Sequence, residues 1–263
     1  LVDPNATFIF ILGLLFGSFG NVVIYRMPNN KSVIHPRSSC PKCNKMIAWY
    51  DNIPVLSWLF LMGKCRQCKV KIPIRYPLVE LITGLIFLFL YLHHGLSWLL
   101  LEHLVFAFSL VVCTFIDLDH MILPDEFTLS GIVIGLVGAI LIPEREFLPS
   151  LLGVLVGGGI LWAIGSIYAA IKKIDGIGGG DVKLLAWIGA VLGWQSIPFV
   201  ILASSLVGSL VGVIYMIRTK SNMQAAIPFG PFLAAAAVLY IFFGRELSHS
   251  YFELFIPSLS IDP

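Results

Sequence analysis

Five carboxylates stand at the edges of long apolar runs. Asp117, Asp119 and Asp125 fall within Phe115-Ile116-Asp117-Leu118-Asp119-His120-Met121-Ile122-Leu123-Pro124-Asp125. Asp175 and Asp181 come later, and Asp181 directly follows Gly178-Gly179-Gly180. An ionisable group beside lipid-compatible sequence is costly and marks function by default. Two carboxyls that face each other share a proton, because like charges close together cannot both ionise cheaply. One then serves as base toward water and the other as acid toward a scissile carbonyl. The chemistry predicted is aspartyl proteolysis inside a membrane.

Asp181 is singled out by its glycines, which let another backbone come close and form a place for a substrate strand. The apolar stretch after it is short. From Asp181 to Gly193 is about 18 Å of helix, against about 30 Å for a full crossing. With Gly193 at the outer surface, Asp181 falls within the bilayer, where irregular backbone is tolerated only along a protein cavity. The competing reading is an ordinary interfacial loop with Asp181 as helix cap. Among the other acids, Asp117 is nearest to the embedded run. Asp119 and Asp125 stay open, although Leu123-Pro124-Asp125 reads as a helix start with a capping acid.

A second group of residues suits a metal. Cys40-Pro41-Lys42-Cys43 and Cys65-Arg66-Gln67-Cys68 place Cys40, Cys43, Cys65 and Cys68 in two C-x2-C pairs. Four thiolates at this spacing fit a tetrahedral, structural Zn2+ site. Reduced cytosolic thiols favour metal over disulfides, and a segment this small gains from a metal staple. Two redox pairs or unrelated thiols are the alternatives. Cys113 lies inside an apolar run and reads as a packing residue.

The elements that must position these groups are membrane helices. The chain is 58% hydrophobic and 12% charged, with a mean hydropathy of +0.91. Soluble domains carry about 25% charged residues. The fold expected is an all-α polytopic membrane protein of about eight transmembrane helices, with a small zinc-ribbon-like cytoplasmic insertion. The spans are near Thr7–Tyr25, Tyr76–Leu92, Ser97–Ile116, Phe127–Ile142, Leu148–Ile171, Val182–Gly193, Ile197–Ile217 and Ala226–Phe243. The first lacks a basic leading region and reads as a span, not a cleaved signal. The expected division is a first helix over 1–25, a zinc-binding segment over 26–75 and a catalytic membrane domain over 76–263.

Ten of the seventeen Lys and Arg residues lie between Arg26 and Arg75. Cytoplasmic loops collect positive charge, so this segment is placed in the cytoplasm and the N-terminus outside. Eight spans then put both aspartate motifs toward the cytoplasm. Glu80, four residues past Tyr76, reads equally as an interfacial partner of Arg75 or a lysine and as a functional acid. Glu102 and His103 are expected at the outer interface. His120 either tunes Asp117 and Asp119 or faces the cytoplasm. No serine has a His/Asp setting that suggests a serine hydrolase.

Over nearly its whole length the chain resembles the type IV prepilin peptidase family, the prepilin leader peptidase/N-methyltransferases. The resemblance is carried by Gly17-Ser18-Phe19-Gly20-Asn21-Val22-Val23-Ile24-Tyr25-Arg26, the paired cysteine motifs, Asn52-Ile53-Pro54 and Arg75-Tyr76-Pro77-Leu78-Val79-Glu80. It continues through Asp117-Leu118-Asp119-His120, Leu123-Pro124-Asp125, Gly178 to Asp181 with Lys183-Leu184-Leu185, and Pro228-Phe229-Gly230-Pro231-Phe232. Their order and spacing are specific together. The Gly-x-Gly-Asp element is also similar to that of presenilin-type proteases.

The resemblance implies a multi-pass enzyme of the bacterial inner membrane. It would cut the basic leader from prepilins or pseudopilins, then methylate the new N-terminus with S-adenosylmethionine. It implies Asp117 and Asp181 as the catalytic pair, with Gly178, Gly179, Gly180 and Glu80 assigned to the substrate cavity. The methyl-donor site is left to the region of Gly63 by position alone, and some members lack methylation. Gly20 stands where the family usually has Leu. The partners expected are prepilins and the bilayer, with no nucleic acid. Two other classes stay open: a transporter or assembly factor whose acids carry protons, and an intramembrane aspartyl protease that does not methylate.

Overall fold

The structure is a computed structural model and describes residues 3–173, 178–219 and 227–255. Among these residues it is helical, with two isolated β-bridges and no strand. The helices are α1 (Pro4–Arg26), α2 (Leu56–Phe60), α3 (Arg75–His94), α4 (Trp98–His120), α5 (Asp125–Leu141), α6 (Phe147–Lys172), α7 (Gly179–Leu192), α8 (Ser196–Thr219) and α9 (Gly230–Phe255). All eight predicted spans meet a helix, although Ala226, the expected start of the last, lies outside the described residues.

Five helices, α1, α3, α4, α6 and α8, are long and apolar enough to cross a membrane. The protein is therefore a multi-pass membrane protein, with five helices of crossing length among the described residues. The others are shorter: α5 has 17 residues, α7 has 14, and the apolar part of α9 is Gly230–Gly244.

The chain forms two units, Leu1–Ile116 and Asp117–Pro263. In the first, α1 starts at an Asp3 cap that accepts the Asn5 amide at 2.9 Å, with proline at the first helical position. Gly13 and Gly17 of α1 lie against Gly84, Phe87 and Glu80 of α3. A Cβ at Gly17 would stand 2.6 Å from Glu80 Cα. Small residues let two membrane helices meet at backbone distance. Asn21 Nδ2 ties the pair by donating to Tyr76 O at 3.0 Å. Helix α4 meets α1 through Phe108, whose ring centroid lies 5.4 Å from Phe16 and 6.3 Å from Phe19. Gly20 faces the same Phe108 ring. His103 is buried and hydrogen-bonded to His94 at 2.8 Å. Cys113 is fully buried, as a packing residue should be.

The second unit is built around α7. Every residue from Leu184 to Val191 is buried, because glycine faces close on the helix from two sides. Gly131 of α5 accepts the Trp187 ring, and Gly135 lies beside Ala190 and Val191. On α6, Gly153 meets the Gly189 backbone and Gly157 meets Leu185 O and Ile197. Arg145 donates to Gly135 O at 3.0 Å, to Ser150 Oγ at 2.8 Å and to Ala190 O. It satisfies the Ala190 carbonyl in the last turn of α7, which has no intrahelical partner of its own, and ties that turn to Gly135 of α5.

Candidate active site

Asp117 sits in the last turn of α4 and is 5% exposed. Its Oδ2 accepts the backbone N–H of Gly230 at 3.0 Å. Gly230 is the first residue of α9, so the positive end of that helix points at the carboxylate. Glycine leaves the carboxylate its place there, since a Cβ would stand 2.7 Å from Asp117 Oδ2 and push it aside.

Asp181 is half-buried in the first turn of α7. The N-cap of that helix is Gly178, with no side-chain cap bond, so Asp181 is not a cap. Its Oδ2 lies 3.2 Å from where a Gly178 Cβ would be. Leu123 links the two acids' neighbourhoods. A Cβ on Gly180 would lie 2.9 Å from Leu123 Cβ, and one on Gly230 would lie 3.2 Å from Leu123 Cδ2. Gly179 faces open space. The carboxylates of Asp117 and Asp181 are near enough to act on each other electrostatically.

The remaining acids separate. Asp119 is exposed at the end of α4. Asp125 is the first residue of α5, whose cap position holds Pro124, and it pairs with Lys183 Nζ at 2.6 Å. That corrects its reading as a capping acid. Asp175 lies outside the described residues. Two contributors carried no role in the sequence reading, Gly230 and Leu123. A proline just inside a helix start was the available signal for Gly230, because it places the preceding amide at a helix N-terminus.

Glu80 belongs to the first unit, where it is 8% exposed and accepts the Val55 N–H at 2.7 Å. Val55 has φ 60° and ψ −53°, and Pro54 O accepts from Leu56 N at 2.6 Å across it. This is a γ-turn of the rare hand, strained for a β-branched residue.

The cysteines form two matching knuckles. Cys40 N donates to Lys45 O and Cys65 N to Val70 O, at 3.0 and 2.9 Å. Asn44 and Lys69 take positive φ at equivalent places, 54° and 59°. Four sulfurs around a tetrahedral zinc stand about 3.8 Å apart at ordinary bond lengths. Here Cys40 Sγ and Cys68 Sγ are 3.7 Å apart, and all four lie within 4.8 Å of one another. The set fits a metal ion. Amides of Cys43 and Lys42 hold the Cys40 thiol down to about 6, whereas burial and the neighbouring thiols push Cys68 up to about 11. Gly63, at φ +64°, is buried under the Trp58 ring.

Two family models match the chain. The Bacterial Peptidase A24 N-terminal domain covers residues 11–94, and the Type IV leader peptidase family covers 104–213. A prepilin leader peptidase/N-methyltransferase of Aeromonas salmonicida is 36% identical over 272 residues, 92% of each chain. Those of Neisseria gonorrhoeae and Myxococcus xanthus are 38% and 42% identical, covering 86% and 81% of this chain and 86% and 64% of their own. No solved structure gives a significant match. The motif order, the two-part match and the identities along the chain agree: it belongs to the type IV leader peptidase family.

Proposed function

We propose that this protein is a prepilin leader peptidase and N-methyltransferase whose cleavage step is carried by Asp117 and Asp181. The observation that carries the assignment is a buried Asp117 fixed by the Gly230 amide, with a second carboxylate in electrostatic range at the glycine-rich start of α7. One carboxylate takes a proton from water as the water oxygen bonds to the scissile carbonyl carbon. The other carboxyl gives its proton to the carbonyl oxygen. Collapse of that tetrahedral species breaks the C–N bond: the leaving nitrogen takes the proton the first acid removed from water, and a hydroxyl of the gem-diol returns a proton to the second acid as the carbonyl re-forms. The Gly230 N–H holds Oδ2 and leaves Oδ1 for the water. Gly178, Gly179 and Gly180 leave room for an extended substrate backbone beside Asp181.

Eight helices cross the bilayer in this reading, with α7 short because its N-terminal end stops inside it. The N-terminus lies outside, and the basic segment over 26–75 and both aspartates lie toward the cytoplasm. Cys40, Cys43, Cys65 and Cys68 hold a structural Zn2+ that staples that segment. S-adenosylmethionine is the methyl donor. Its seat is placed in the region of Gly63 by position alone, where the Trp58 ring packs on the glycine.

The test is incubation of purified enzyme with a prepilin and S-adenosylmethionine, beside Asp117→Asn and Asp181→Asn, with products read by mass spectrometry. Wild type alone should release the leader and leave one further methyl on the mature chain. Normal turnover by a folded Asp181→Asn enzyme would sink the assignment.

A further inference from the structure

The segment between α1 and α3 wears its apolar side chains on the outside. Trp49, Phe60 and Met62 are 74%, 82% and 80% exposed. Leu56, Leu59 and Phe60 are exposed at i, i+3 and i+4 of α2 and share one face of it. The opposite side holds the segment together: Ser57 Oγ donates to Tyr50 O, and Trp58 Nε1 donates to Ile72 O, both at 3.0 Å. The helix is thus turned with its stripe away from its own core. The same segment carries ten Lys and Arg residues from Arg26 to Arg75 against a single acid, Asp51, which Arg66 already binds. Lys45, Lys64, Lys69 and Lys71 are all exposed.

We infer that this apolar stripe, with Trp49 and Met62 beside it, seats in the headgroup layer of an anionic leaflet, and that the surrounding lysines bind lipid phosphates. The inference rests on reading α1 and α3 as membrane spans. Consecutive spans return the chain to the face it left, so Arg26 and Arg75 hold the segment at the bilayer surface from both ends. An apolar face within a strongly basic surround is the composition that binds an anionic interface. A cationic surface also repels the basic leader that the family resemblance implies, which disfavours the substrate as occupant of this face.

The full-length enzyme would carry the photo-crosslinking residue benzoylphenylalanine at Phe60, or in a second protein at Met62, and as control at exposed Gln67. Each would be placed in phosphatidylcholine vesicles with roughly one phosphatidylglycerol in four lipids. On irradiation, lipid adducts should form at 60 and 62 about fivefold more than at 67, and should fall when phosphatidylglycerol is left out. Equal labelling at all three positions would overturn the inference, as would adducts at 60 and 62 formed only with a second protein chain. Both leaflets of such vesicles are alike, so orientation does not affect the result. Prepilin cleavage in the same vesicles reports separately on function and confirms that each labelled protein is folded.

Discussion

Glu80 and Asp117 are two buried carboxyl groups with the same elementary support. Each accepts one backbone amide, from Val55 at 2.7 Å and from Gly230 at 3.0 Å. Each is approached by a glycine that could not carry a side chain, Gly17 for Glu80 and Gly230 for Asp117. They differ in two ways. The Glu80 donor sits in a strained γ-turn, whereas the Asp117 donor opens a helix without strain. Asp117 also has a second carboxylate in range, Asp181. A lone buried acid with an amide partner can hold a turn in place. Proton transfer in both directions during one reaction needs a pair.

The largest predicted effect breaks this comparison open. Asp117→Asn should lower the prepilin cleavage rate by about 10³-fold or more, because Asn can neither take nor supply the proton. Methyl transfer to a mature pilin, supplied already cut, should continue. Glu80→Gln keeps an oxygen for the Val55 amide, so cleavage should stay within about threefold of wild type. Initial rates on one prepilin substrate, with thermal unfolding to confirm the fold, decide both. A collapse of cleavage in folded Glu80→Gln would place Glu80 in the proteolytic chemistry.

The two glycines sharpen the contrast further. Gly230→Ala puts a methyl group against Asp117 Oδ2 and displaces the carboxylate, so kcat should fall about 10- to 100-fold with little change in Tm. Gly17→Ala forces the α1 and α3 backbones apart and should cost about 1–3 kcal/mol of stability. Its cleavage rate per folded molecule should be unchanged. Unfolding midpoints and kcat measured on both proteins should therefore move in opposite columns.

Much of this arrangement is legible in the sequence, and the reasons for the rest are physical. Long apolar runs announce membrane helices because nothing else satisfies the backbone in lipid, and α1, α3, α4, α6 and α8 lie where the runs are. The cysteine pairs are legible because C-x2-C geometry is local, and the structure does gather the four sulfurs. Asp181 stands out through its glycines. The choice of Asp117 over Asp119 and Asp125 came from family resemblance, since three acids within nine residues have equal local claims. The partners of these acids were not legible. The Gly230 amide reaches Asp117 across 113 positions, and Val55 reaches Glu80 from a turn whose strain no propensity scale expresses. Arg145 looks like an outer-loop charge until three helices bring their carbonyls and a serine to it.

Strain at the Glu80 donor gives a smaller test. Val55→Gly keeps the amide that Glu80 accepts but removes the β-branched side chain from a positive-φ position. Relief of about 1–3 kcal/mol of backbone strain is offset by about 0.5–1 kcal/mol of added chain entropy in the unfolded state. The net expectation is a gain of about 1 kcal/mol, read as a higher unfolding midpoint in detergent. A loss of stability would mean that the Val55 side chain contributes more through packing than its turn costs.

A third carboxylate calibrates the other two, because its hydrogen bonds come from a cation instead of an amide. Asp51 is bound by Arg66 through contacts of 2.6 to 3.0 Å. The guanidinium holds its carboxyl below the usual carboxylate range. A group whose folded pKa is depressed adds stability above its unfolded pKa and loses that contribution as pH falls through the folded one. The contribution should therefore be complete above about pH 5 and fade below about pH 4. Comparing wild type with Asp51→Asn removes any acid sensitivity of the four-cysteine cluster, which both proteins share. The difference in unfolding midpoint should be about 1–2 °C at neutral pH, because Arg66 is largely solvated. It should shrink toward zero below pH 4 and in high salt. A difference that persists undiminished at pH 3 would mean that Asp51 acts through packing and not through its charge.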